Sequence, residues 1–202
     1  MRSGKLCVFA EDESHLLWGD TVGYVWGNRN ERTEINIKNE RERQTYYGAI
    51  DFYSREFLVR AYDRADSAGT VSFLKYLRNK RKNSKILIIW DMASYHRYAE
   101  MKKYLEEINR GLDEKDRKIT CIFFEPDAPE QNPVEDIWLK GKNFLRKHFY
   151  ENKTFAQVKK CFFNFLSGQF FNFDKLNGML HNSFRDAILH LHLWLNYLKK
   201  SH

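Results

Sequence analysis

Three acidic residues stand where runs of buried character end. Asp12 follows Leu6-Cys7-Val8-Phe9-Ala10, Asp91 follows Ile86-Leu87-Ile88-Ile89-Trp90, and Glu135 lies in the first turn of a helix opened by Asn132 and Pro133. Ligands of open α/β sheets gather at the carboxyl ends of strands, so acids placed there converge. Converging carboxylates repel one another and cannot all ionise without compensation. Mg²⁺ supplies it, because it takes oxygen ligands and is held by one or two carboxylates together with substrate phosphates. Two such ions about 3.5–4 Å apart stabilise both the entering and the leaving oxygen of an in-line displacement, the chemistry of phosphodiester cutting and rejoining. Each acid also has a purely structural reading. Asn132-x-x-Glu135 matches a capping box, Asp12 is flanked by the equally eligible Glu11 and Glu13, and Asp91 can cap the next helix. The three matching topological positions favour the chemical reading for the set.

The elements that must hold these acids follow from the hydrophobic pattern. Residues 6–10 and 86–90 are continuous apolar runs, as in strands buried on both faces. Residues 45–50 and 57–62 are rich in β-formers and read as an antiparallel pair around a polar loop, while glycines and tryptophans in 16–30 suggest hairpins and turns. Ser67 is placed to cap a helix with apolar Val71, Leu74 and Leu77. Met101, Leu105 and Ile108 share a face of a second helix that Gly111 closes, and a charged loop, 113–118, leads to a strand over 119–124. Asn132 as N-cap and Pro133 as first helical residue open a helix with the stripe Val134, Ile137, Trp138, Gly141 and Leu145. Thr154 and Gln157 match a capping box ahead of Phe155, Val158, Phe162 and Phe165, with Gly168 as the stop. A last helix shows Phe184, Ile188, Leu191, Leu195 and Leu198. Strands alternating with helices after an initial meander predict an α/β fold, a mixed sheet with helices on both faces and a C-terminal helical extension. Residues 1–150 are expected to form the chemical domain and 151–202 the extension.

The 202 residues carry 34 Lys and Arg against 27 Asp and Glu, a formal charge of +7, which suits a polyanionic partner such as nucleic acid. Arg78, Lys80, Arg81 and Lys82 either complement the negative end of their helix dipole or meet phosphates. Positions 135, 139, 142 and 146 share one helix face, so Lys142 and Arg146 lie in line with Glu135 and either follow a DNA backbone or form a solvated face. Cys7, Cys121 and Cys161 are odd in number and form no C-x-x-C, which disfavours a disulfide framework or zinc ribbon and suits a reducing cytosol. No apolar run reaches the length of a membrane span, so no membrane partner is expected. His190 and His192 diverge on a helix and make no metal pair.

Three segments resemble, in order, the signatures of DDE-type transposases from bacterial insertion sequences related to mariner. Phe9-Ala10-Glu11-Asp12-Glu13-Ser14 resembles the first, an apolar strand ending in Asp-Glu-Ser/Thr. Ile88-Ile89-Trp90-Asp91-Met92-Ala93-Ser94-Tyr95-His96 is similar to the second, and Pro126 through Trp138, with Gln131-Asn132-Pro133-Val134-Glu135-Asp136-Ile137-Trp138 at its end, to the third. The likeness covers about residues 6 to 150. Met92 stands where Asn is usual, Ala128 where Ser is frequent, and 43 residues (92 through 134) separate Asp91 from Glu135, more than the family's usual spacing.

The resemblance implies a ribonuclease H-like fold and a metal-dependent polynucleotidyl transferase. Asp12, Asp91 and Glu135 would be its catalytic and metal-binding triad for two Mg²⁺ or Mn²⁺ ions. It implies DNA partners, transposon ends and target, and a location at the bacterial nucleoid in the cytoplasm. It implies endonuclease cleavage followed by strand transfer, with His96 either near a phosphate or merely structural. The family's N-terminal helix-turn-helix region has no room before Asp12, so it is expected on a longer or a separate chain. A homodimer is a further expectation. The rival readings are a non-catalytic DNA-binding or assembly module descended from such an enzyme, and a nuclease that only hydrolyses.

Overall fold

Five strands form one mixed sheet in the order β3-β2-β1-β4-β5, with β1 Leu6–Leu17, β2 Arg43–Asp51, β3 Phe57–Tyr62, β4 Lys85–Trp90 and β5 Ile119–Phe123. The first three strands are antiparallel neighbours; β4 runs parallel to β1, and β5 parallel to β4. The computed structural model describes residues 6–22, 29–30, 42–91, 99–124 and 132–181. The chain divides into two compact units, Met1–Phe170 and Phe171–His202. Of the second, the helix α5 Asp174–His181 is described; the expected helix over 184–198 lies outside the described residues.

The sheet separates two layers of helices. On one face α1 (Ser67–Lys80) and α2 (Ala99–Ile108) bury Phe73, Leu77 and Met101 against Phe9, Tyr47 and Ile88 of the strands. On the other face lie α3 (Pro133–Lys147) and α4 (Phe155–Leu166). There the Tyr46 and Phe162 rings are 5.1 Å apart, and Phe57 meets Trp138 edge-on at 5.3 Å. The residues of the expected α3 stripe, Val134, Ile137, Trp138, Gly141 and Leu145, are all buried. Gly141 permits the close approach of α4, since a Cβ there would lie 2.6 Å from Phe162 Cε2.

Two local expectations are corrected. The first strand does not stop at Ala10 but continues to Leu17, paired with β2 as far as Leu17↔Arg43. Its second half alternates buried and exposed residues from Ser14 to Leu17, the period of a half-buried strand, which the Glu11-Asp12-Glu13 run obscures. Asp12 therefore sits inside a strand rather than after one. The cap of α1 is Asp66, not Ser67: Asp66 has extended backbone and its Oδ1 accepts the Gly69 N–H at 2.8 Å. The other caps fall where expected. Asn132 Oδ1 accepts the Val134 N–H at 3.0 Å ahead of Pro133, and Thr154 and Gln157 form a reciprocal capping box on α4. Gly111 and Gly168 take positive φ, of 73° and 69°, beyond the ends of α2 and α4.

Candidate active site

Asp12 and Asp91 are brought together by strand register. The β1–β4 ladder pairs Leu6 with Lys85 and ends with Ala10↔Ile89, so two residues further on Asp12 comes beside Asp91. Side chains two apart on a strand share a face, and the residues of the opposite parity, Phe9, Ile86, Ile88 and Trp90, pack in the α1/α2 core. Asp12 and Asp91 therefore belong to the α3 face. Glu11 and Glu13 fall on the other face by the same alternation, and both bear electrostatically on Tyr47 of the α1/α2 core.

The third acid arrives from above the sheet. Asn132 donates through Nδ2 to the Glu11 backbone carbonyl at 3.4 Å while capping α3, so the helix starts directly over β1. Glu135 follows in the first turn, with Asp136 beside it. One turn on, Trp138 donates its Nε1–H to Asp12 Oδ2 at 3.1 Å. Asp12 is half-buried, while Asp91 and Glu135 are exposed. Burial holds the Asp12 carboxyl well above the usual carboxylate range, and the negative charges of Glu13, Asp91 and Glu135 push it further in the same direction. Asp91 and Glu135 thus lie within electrostatic reach of Asp12. Among the described residues, no three or more His, Cys, Asp or Glu side chains are grouped closely enough to hold a metal ion as they stand.

A divalent cation fits this donor set by its chemistry. Three carboxylates, with two of them raising the proton affinity of the third, are hard oxygen donors whose mutual repulsion a cation relieves.

The cations anticipated from the sequence fall in two places. Lys142 and Arg146 are partly exposed on α3, the helix that carries Glu135, with exposed Leu139 between them and the acid; Arg146 donates to Asn143. The Arg78–Lys82 cluster precedes the first residue of β4, whereas Asp91 follows its last. At about 3.3 Å per residue the six-residue β4 separates the two by about 20 Å, and α1 lies on the opposite face of the sheet from α3. Arg78 and Arg81 have internal partners there. Arg78 donates to the Arg81 and Ser84 carbonyls, and Arg81 bridges Glu56 and Asp51. Lys80 and Lys82 are exposed, Lys80 with its Nζ 5.8 Å from the Tyr76 ring. His96 lies outside the described residues. A groove between α1 and α2, lined by Val71, Lys75, Lys103 and Tyr104, is likewise on the face away from the three acids.

Sequence reasoning assigned Trp138 to the core and did not foresee its bond to Asp12. The signal was present, because Glu135 and Trp138 are three apart on α3 and so neighbours on its surface. Gly48, the Cα partner of Asp12 across β2, carried no signal at all.

Solved structures share this architecture. The chain matches the Mos1 transposase paired-end complex with the left transposon end at 13% identity and a TM-score of 0.56, covering 84% of this chain and 49% of that one. The Mos1 mariner paired-end complex with Mn matches at 13% identity and 0.54, with the same coverage. The intasome of simian T-cell lymphotropic virus, solved with PP2A regulatory subunit B56 gamma, matches at 14% identity and 0.52, covering 78% of this chain and 47% of that one. The chain thus spans about half the length of the solved chains it matches, and shares with them the ribonuclease H-like fold of transposase and integrase catalytic domains. No curated protein matches it by sequence. The family model of the DDE superfamily endonucleases does match, over residues 8–156, which include β1, β4 and the start of α3, and the chain belongs to that family.

Proposed function

We propose that this chain is the catalytic domain of a metal-dependent DNA transposase of the mariner-related insertion-sequence kind. It cleaves the phosphodiester bond at transposon ends and joins the freed 3′ hydroxyl to target DNA. Asp12, Asp91 and Glu135 are the triad and would hold two Mg²⁺ or Mn²⁺ ions. The observation that carries this reading is the register that sets Asp12 beside Asp91 on adjacent parallel strands, beneath the helix start that brings Glu135. Bound there, the ions supply Lewis-acid stabilisation of the entering and leaving oxygens.

The chain's own residues supply geometry and electrostatics. Asp12 lies within β1, where it pairs with Gly48 of β2, two residues past the last pair of the β1–β4 ladder, so register holds its backbone. Glu135 sits in the first turn of α3, at the positive end of the helix dipole. Lys142 and Arg146 continue along that helix and guide the DNA backbone away from the acids, with the more distant Lys80 and Lys82 available to a longer duplex. Recognition of the transposon ends belongs to a helix-turn-helix region or a separate chain. The mature assembly is a homodimer on DNA.

The test is nicking of a supercoiled plasmid and strand transfer of a labelled end with Mg²⁺ or Mn²⁺, for the wild type and for Asp12→Asn, Asp91→Asn and Glu135→Gln. Each variant should lose cleavage while melting as the wild type does. Wild-type cutting by any of the three removes that residue from the triad. Cleavage without strand transfer by the wild type identifies a nuclease that only hydrolyses.

A further inference from the structure

The Trp138 side chain touches Asp12, a member of the triad. Its indole is 5% exposed and fixed on two sides, edge-on to Phe57 at 5.3 Å and stacked with Phe162 at 6.2 Å and 19°. Room for it exists because residue 48 is glycine. A Cβ at Gly48 would lie 2.6 Å from Trp138 Cζ2 and Cη2 and 2.4 Å from Phe57 Cζ. Gly48 is also the Cα partner of Asp12. The indole therefore reaches Asp12 over the gap in its neighbour strand, and Nε1 ends 3.1 Å from Oδ2.

The chemistry of this contact is selective. An indole N–H is a donor only, so it meets the carboxylate in one sense. The terminal torsion of an aspartate is broad and close to two-fold, so an unbonded carboxylate has no strong preference for which oxygen it presents. The Glu13 backbone N–H also donates to the Asp12 carboxylate, and a second donor held by packing removes what freedom is left. An uncharged donor also leaves the carboxylate its full negative charge, where Arg or Lys would neutralise it and repel a cation. Hydrogen bonds behind ligating carboxylates orient them and commonly tune metal affinity.

We propose that Trp138 is a positioning residue for metal binding: its indole, seated in the space that Gly48 leaves open, donates to Asp12 Oδ2 and turns the carboxylate toward a cation that Asp91 and Glu135 would share. The proposal rests on the metal-binding role given to the triad above. It makes the tryptophan of the third motif part of the site's machinery as well as part of the core, and it couples the identity of residue 48 to metal affinity.

The test uses the full chain with Trp138 replaced by 3-benzothienylalanine, in which sulfur takes the place of the N–H and the ring shape is kept, and separately Trp138→Phe. Mn²⁺ binding is followed by titration calorimetry and by the electron paramagnetic resonance of free Mn²⁺; melting is followed without metal. The sulfur analogue should melt metal-free close to the wild type yet bind Mn²⁺ about 10- to 100-fold more weakly. In the wild type the Trp138 indole N–H resonance should shift as diamagnetic Mg²⁺ is added and broaden as Mn²⁺ is added, and Asp12→Asn should abolish both effects. Wild-type Mn²⁺ affinity in the sulfur analogue overturns the positioning role while leaving the triad intact. Absence of Mn²⁺ binding by the wild type itself overturns the metal reading, and the positioning role with it.

Discussion

Substituting Gly48 by alanine should destabilise the fold and loosen the site together. The added Cβ would stand 2.4 Å from Phe57 Cζ and 2.6 Å from two carbons of Trp138. Carbon atoms rest about 3.5–4.0 Å apart, so both rings must withdraw by about 1 Å. Neither moves freely, because Phe57 lies in a paired strand and Trp138 is stacked with Phe162. Overpacking of this kind costs about 1–3 kcal/mol. Alanine recovers about 0.4–1 kcal/mol by stiffening the unfolded chain, which offsets part of that cost. At about 2–4 °C per kcal/mol for a protein of this size, the melting temperature should fall by up to about 10 °C. The same displacement carries Nε1, now 3.1 Å from Asp12 Oδ2, beyond hydrogen-bonding range. Melting curves and Mn²⁺ titrations of Gly48→Ala would be read against Gly19→Ala, where an added Cβ meets nothing within 4 Å. A Gly48→Ala protein that melts at or above the wild type refutes the packing argument. One that melts low yet binds Mn²⁺ normally separates packing from metal affinity.

Asp66→Ala should cost about 0.5–2 kcal/mol by removing the α1 cap. The Gly69 N–H, with help from Arg64, holds the Asp66 carboxyl below its ordinary 3.8, so its contribution is present above about pH 4 and is lost as pH falls through the lower folded value; melting at pH 6 and pH 3 should therefore show a smaller gap between wild type and variant at pH 3. Neutralising Lys142 and Arg146 should weaken duplex binding alike for all sequences and flatten its salt dependence, by about one unit of slope per lost phosphate contact. Fluorescence anisotropy at several salt concentrations checks this, and an unchanged slope would remove α3 from the DNA path.

The sequence disclosed the elements that carry the three acids more fully than the pairing that arranges them. Ile86 to Trp90 and Leu6 to Ala10 are legible because strands buried on both faces must be apolar throughout, and α3 because Asn132 and Pro133 announce its start. The continuation of β1 to Leu17 was hidden by three consecutive acids, since the pattern registers hydrophobicity and not pairing. Asp66 lost the cap to Ser67 because two adjacent residues were both good caps, and only backbone geometry distinguishes them. The Arg78–Lys82 cluster looks like a DNA contact in sequence because a charge run carries no partner information; Glu56 and Asp51, which engage Arg81, are remote along the chain. Gly48 was invisible for the same reason, its meaning lying in Trp138 and Phe57, which pack against it.

The run Glu11-Asp12-Glu13 makes sheet register a chemical variable. Slipping β1 by one residue against its neighbours exchanges its faces and offers the site a glutamate, so the pocket would keep its acid but gain a methylene. Charge alone therefore cannot proofread the pairing. That task falls to size: the slip would drive Phe9 toward α3 and bring Ala10 into the α1/α2 core, where Phe9 now fills its place. Phe9, packed in the α1/α2 core, thus acts as the fidelity element that decides which of three adjacent acids faces α3.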